Sequence, residues 1–443
     1  MRYCGTDSRL LAINSVPPTF NDKRIGHLLD GRACTRRPRC GQARAKRHTV
    51  RSRKTFGSLL AALSLWFLCV IVVCIRSYQH PGLHSVFAAY RNAGIAWFQQ
   101  EQIYGTGGSA FLYSPLIAAF YSPFALVSQN VSEVLWRLLL GLALPLSLWF
   151  NARALFGFSK NKFAYLLLLI LPLTLSNLNK GQANLILIVL LLVATATALQ
   201  SQWWTCALCA SLVVYWKIYP VVFALLLTAI FPKKLTLRIS LAVVGLFIIS
   251  LTLQKPPYVL REYGSWLVHL ASDRRRANEY YGKWRDFYLL LRLIGIPISI
   301  MWWKVVEVIA AVVAAAICLF GRIRRWPPVT LVFIALSLAI VWMLLFGPAT
   351  EAATYVLIAV PSSYLLVFGL FEASQVALRA MSSVTYLGFV AADVINSWFH
   401  IKQAIYLVHA IQPCFALCFC VALCFWWRRQ IAEGSRVEVL KRH

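Results

Sequence analysis

Charge is what this sequence has least of. Asp, Glu, Lys and Arg make up 13% of its 443 residues, and only 15 of them are acidic against 44 basic. Stretches such as 163–178 and 183–199 carry polar residues only at their ends, which excludes a large soluble helical protein, where each helix needs a polar face. Nothing resembles the cytoplasmic Rossmann-like domain of a soluble-type nucleotide-sugar site. No small-x-small pattern follows the first apolar run, so it reads as an uncleaved span with its N-terminus inside. The 12 cysteines are not a framework either. Cys414, Cys418, Cys420 and Cys424 lie in the last apolar run with no His or carboxylate beside them, and no metal or other cofactor is expected.

What is present is apolar. Hydrophobic residues reach 60%, with 16 tryptophans, gathered in runs of about 16–25 residues. A hydrocarbon core of ~30 Å needs ~20 helical residues, so the chain reads as an all-α polytopic membrane protein of about twelve transmembrane helices. Its formal charge of +29 fits cytoplasmic loops meeting anionic lipid, and nucleic acid is not an expected partner. Residues 1–55 hold only Asp7, Asp22 and Asp30 against many bases and read as a disordered cytoplasmic tail or an over-extended start. A multi-span domain over 56–427 and a basic cytoplasmic tail over 428–443 complete the division.

Basic clusters set the register. Spans are expected at 56–75, 131–153, 163–178, 183–199, 203–216, 218–231, 237–254, 298–320, 328–346, 354–371, 381–395 and 403–427. This order puts Arg153, Lys160, Lys162, "PKKLTLR", "GRIRRW" and "WWRRQ" on the cytoplasmic side, with both termini. Loops 76–130 and 255–297 then face outward. The first contains two amphipathic pieces, 83–100 and 114–127, expected to lie along the interface, since Pro115 and Pro123 spoil the second as a span. "KGQAN" (180–184), Lys217 in "VVYWKIYP", loop 255–297 and "FGPATE" all fall on that outer face, and polar groups converging there from separate helices mark a site for a polar substrate beside lipid.

The ordered motifs "FLYSPLIAAFYSPF", "NKGQANLILIVLLL", "WKIYP", "RDFYLLLRLIG" and "GPATEAATYVLIAVP" resemble glycosyltransferase family 87 of the GT-C membrane superfamily, over roughly residues 57–425. The resemblance implies a GT-C-like fold with interfacial helices in the first external loop. It also implies inverting transfer of a hexose, with mannose a candidate, from a polyprenyl-phosphate carrier to a glycan or lipid acceptor on the non-cytoplasmic face of the plasma membrane. The family's base is an acidic residue in the first external loop, where this chain reads "PGLHSVF". Candidate bases are therefore Glu101, the one carboxylate between 76 and 130, His84 and Glu351. Lys180, Lys217 and Arg292 suit the donor phosphate, as do the arginines of loop 255–297. Gln182 and Asn184 suit sugar hydroxyls, Tyr113, Tyr104 and Trp97 suit a sugar face, and Asp286 suits ordering of the Arg-rich loop. Two other readings stay open: a transporter or flippase of a lipid-linked or anionic solute, and a family member without catalysis.

Overall fold

A computed structural model describes residues 40–104, 111–272, 284–348, 350–372, 375–398 and 405–440, with side chains over 57–104, 111–272, 284–348, 350–372, 375–395 and 408–432. Among these residues the regular structure is helical, apart from one isolated bridge between Trp284 and Glu351. The chain divides at Arg51, and the site belongs to the second unit, Ser52–His443.

Helix α1 (Cys40–Gln79) begins within the basic block and carries the first apolar run. Two short elements follow where interfacial helices were expected: α2 (Phe87–Gln99), then α3 (Pro115–Tyr121) continuing into a 3-10 turn, Ser122–Leu126. Proline explains the second, because Pro115 and Pro123 each sit at the start of their element, where a missing N–H costs nothing. Next come α4 (Gln129–Phe156), α5 (Lys160–Asn179), α6 (Asn184–Leu199), α7 (Trp203–Trp216), α8 (Val221–Ile230) and α9 (Pro232–Leu253). The segment expected as an outer loop holds α10 (Pro256–Ala271) and α11 (Phe287–Leu293). Then come α12 (Ile300–Ile323), α13 (Pro328–Leu345), a 3-10 turn over Ala352–Ile358 running into α14 (Ala359–Phe371), α15 (Val376–Trp398) and α16 (Ile405–Leu440).

Nine of the twelve expected spans coincide with helices long and apolar enough to cross a membrane. The other three, α6, α7 and α8, are 16, 14 and 10 residues long, or about 24, 21 and 15 Å at ~1.5 Å per residue, short of the ~30 Å core. Their shortness matters for function, since the α5–α6 and α7–α8 junctions both line the cavity described below. Burial separates two groups of helices. Fourteen residues of α13 are buried, whereas α9 and α12 bury three and four and present leucine, isoleucine and valine outward, as lipid-facing helices do.

At one end of the bundle Lys162 pairs with Glu372, whose carbonyl accepts from Arg429 Nη2 at 2.9 Å, tying α5, α14 and α16 together. The opposite end gathers the α5–α6 turn, the α7–α8 junction and the α13–α14 turn. Over that end lie α2, α3 and α10. Tyr258 Oη donates to the Glu101 carbonyl at 2.9 Å, Trp266 Nε1 to Leu112 O at 3.1 Å and Gln254 Nε2 to Trp97 O at 3.2 Å. The Arg91 guanidinium closes the 3-10 turn, donating to Val127 O at 2.8 Å and Phe124 O at 3.2 Å. Of the loop arginines expected to meet phosphate, Arg274, Arg275 and Arg276 lie outside the described residues, as do Lys283 and residues 1–39.

Candidate active site

One cavity of about 720 Å³ opens where these three junctions meet α2. Its wall brings together Gln182 and Asn184 from the α5–α6 turn, Lys217 from the α7–α8 junction, Tyr113 from the first loop and Glu351 from the α13–α14 turn. Ser85, Val86, Ala89 and Tyr90 supply the α2 side, and Tyr219, Trp342, Thr350 and Thr354 complete the polar and aromatic surface.

Each junction is shaped locally. Lys180–Gly181 ends α5, and Gly181 adopts φ +64, the left-handed conformation that a side chain resists. A Cβ there would also meet Phe87 Cβ at 3.3 Å and Arg137 Nη2 at 3.4 Å. Helix α4 grips the turn's carbonyls: Trp136 Nε1 donates to Gly181 O at 2.9 Å and Arg137 Nη2 to Asn179 O at 2.8 Å. Arg137 is 1% exposed and paired with the fully buried Glu133, whose other contact is the Ser85 hydroxyl, donating at 2.9 Å. Ser85 belongs to "PGLHSVF", the stretch without an acid, and the carboxylate it bonds is that of Glu133 in α4.

At the α7–α8 junction Lys217 is extended, and its ammonium donates to Asn184 Oδ1 at 2.7 Å while lying 5.5 Å from the centre of the Tyr219 ring. Asn184 Nδ2 donates in turn to Ala353 O at 3.0 Å, which fixes the amide orientation. In the α13–α14 turn a Cβ on Gly347 would fall 2.2 Å from Met343 O, so the tight reversal of "GPATE" requires glycine. Behind it the Arg285 amide donates to Thr350 O at 2.8 Å and Tyr355 Oη to Arg285 O at 2.7 Å. These bonds set where Glu351 emerges.

Other expected site residues lie elsewhere. Glu101 is exposed and outside the cavity wall, its backbone held by Ala96 and Tyr258. His84 is likewise exposed and outside the wall, one residue before Ser85. Lys180 is exposed and outside the cavity wall, and its carbonyl accepts from the Val86 amide at 3.0 Å. Arg292 rests over the Tyr288 ring at 5.5 Å in α11. Asp286 caps α11, its Oδ1 accepting from the Leu289 amide at 3.0 Å. Trp97 and Tyr104 are buried in the cover, Trp97 against Tyr258 and Tyr104 donating to Tyr113 O at 2.5 Å. The Glu133–Arg137 pair was not singled out from the sequence, although opposite charges at i and i+4 inside an apolar run signal it. Tyr90 gave no signal beyond an aromatic in a loop.

An all-helical membrane bundle with a recessed cavity holding one carboxylate, one ammonium, amides and aromatic rings has the parts of an enzyme acting on a polar group beside lipid. Residues 111–348 match glycosyltransferase family 87, and the chain belongs to that family of membrane glycosyltransferases. No curated protein matches the chain.

Proposed function

We propose that this glycosyltransferase moves a hexose from a polyprenyl-phosphate carrier to a hydroxyl acceptor, with inversion, on the non-cytoplasmic face of the plasma membrane. The gathering of Glu351, Lys217, Asn184, Gln182 and Tyr113 around one cavity carries this reading. Glu351 takes the acceptor hydroxyl proton as the acceptor oxygen bonds to the anomeric carbon. The bond from that carbon to the phosphate oxygen breaks, and both electrons leave with the lipid phosphate, beside Lys217. Gln182 and Asn184 match sugar hydroxyls, and Tyr113 offers a ring edge to the sugar. The basic residues Arg153, Lys160, Lys162, Arg324 and Arg325 lie at helix ends remote from the cavity in chain order, which favours an outward-facing cavity and cytoplasmic termini.

The test is transfer of radiolabelled hexose from polyprenyl-phosphate-mannose and polyprenyl-phosphate-glucose by purified protein in lipid. Glu351→Gln should abolish transfer while donor binding persists, and Glu101→Gln and His84→Ala should keep it. Full transfer by Glu351→Gln removes Glu351 as the base. Donor flux across the bilayer without a new glycosidic bond would instead make the protein a transporter.

A further inference from the structure

Among the described residues no hydrogen bond or ion pair holds the Glu351 carboxylate, so its place is set by its backbone. One short segment, residues 284–286, meets that backbone. Trp284 forms an isolated antiparallel bridge with Glu351, and the Arg285 amide donates to Thr350 O at 2.8 Å. On the other side of Glu351, Tyr355 of the 3-10 turn donates through its Oη to Arg285 O at 2.7 Å. The main chain of Arg285 therefore bonds residues that flank the carboxylate before and after.

The Arg285 side chain holds this segment in turn. It is 7% exposed, and its Nη1 donates at 2.9 Å to Gln412 Oε1 of α16, itself 3% exposed. Among the described residues no carboxylate pairs with Arg285, and its buried Nε has no hydrogen-bond partner. Desolvating a guanidinium costs more than one neutral amide offsets, so stability alone would be better served by apolar side chains at both positions. Direction is what the contact supplies, because the planar guanidinium donates along fixed lines.

We propose that Gln412 and Arg285 are positioning residues for the base: Gln412 anchors the guanidinium to α16, and the Arg285 main chain carries that anchor to both flanks of Glu351. This rests on the reading of Glu351 as the base. Neither residue exchanges a proton, and the one proton transferred runs from acceptor to Glu351. Helix α16 supplies no residue to the cavity wall, and it takes part in the chemistry through this contact.

The experiment is steady-state hexose transfer by the full chain in lipid vesicles, with turnover counted per donor-binding site, beside thermal melts. The variants are Gln412→Leu, Gln412→Glu, Arg285→Met joined with Gln412→Leu, and Glu351→Gln. Gln412→Leu removes the acceptor and should lower kcat about 10-fold, since slight misplacement of a reacting group is costly, while KM for the donor stays unchanged. Gln412→Glu keeps an acceptor oxygen in place and should rescue kcat. The joint variant removes the buried charge together with its partner, so it should melt no lower than wild type and still lose turnover. Should Gln412→Leu fail to fold, with its guanidinium left unpaired, the joint variant decides. Wild-type kcat per binding site in the joint variant, with Glu351→Gln inactive, overturns this inference alone. A kcat that falls only where the melting temperature falls marks the contact as merely structural and overturns it as well. Full activity of Glu351→Gln overturns the base assignment, and this inference with it.

Discussion

Lys217 reaches Asn184 at 2.7 Å across 33 residues of chain, and among the described residues no carboxylate pairs with it. An ammonium held by an amide, rather than neutralised by an acid, keeps its charge for an anion arriving in the cavity. Lys217→Met should weaken donor binding or turnover about 10- to 100-fold, the worth of one charge-assisted hydrogen bond. Lys217→Arg should recover part of it, and steady-state kinetics with varied donor distinguishes the two. Loss no greater than twofold in Lys217→Met would separate this cation from the phosphate.

The Glu133–Arg137 pair makes a different prediction. Removing one partner leaves a buried charge uncompensated, so Arg137→Met should lower stability by about 3–5 kcal/mol. Joint replacement by Glu133→Leu and Arg137→Met should restore most of that stability while the grip on Asn179 O and Ser85 remains lost. Thermal melts in lipid nanodiscs measure the first effect and transfer assays the second. Stability and activity should therefore come apart in the double variant.

Gly181→Ala tests the turn itself. A side chain at φ +64 costs about 1–2 kcal/mol, and the contact with Phe87 at 3.3 Å adds to it. The expected result is a lower melting temperature and reduced transfer, because Gln182 and Asn184 follow directly. An unchanged melt would mean the turn relaxes without α4.

Alkaline pH should destabilise the protein through its buried phenols. Tyr90 is raised from 10.0 to about 12 by burial, and burial likewise raises Tyr113 well above its ordinary value. Between pH 10 and 12 the unfolded chain has released a Tyr90 proton that the folded chain keeps, so stability, complete below pH 10, declines as pH rises, by about 1.4 kcal/mol per pH unit for one such group. Melts from pH 8 to 11.5 should show the decline starting near 10, and Tyr90→Phe should flatten it.

Much of the architecture was legible because a span announces itself by length and composition. Pro115 and Pro123 marked a non-spanning piece, and "KGQAN", "WKIYP" and "GPATE" marked breaks that the fold then joins around one cavity. Sequence could not say which face a loop residue presents. Glu101 drew notice as the lone acid of its loop, yet Tyr258 fixes its backbone and its side chain sits on the surface. Arg292 looked like a phosphate cation, but it lies over Tyr288. Conversely, Glu133 and Tyr90 acquire meaning only from partners distant in the chain: Ser85 lies 48 residues from the first and Tyr113 lies 23 residues from the second.

The cavity wall runs from Ser85 to Thr354, and its last contributions come late in synthesis. Once α6 has been inserted, α4 can already seal against Ser85 and the turn at Gly181. The Ala353 carbonyl that orients Asn184 follows 169 residues afterwards, and Glu351 arrives with it. With Glu351 as the proposed base, a chain cut short before it would lack the group that takes the acceptor proton.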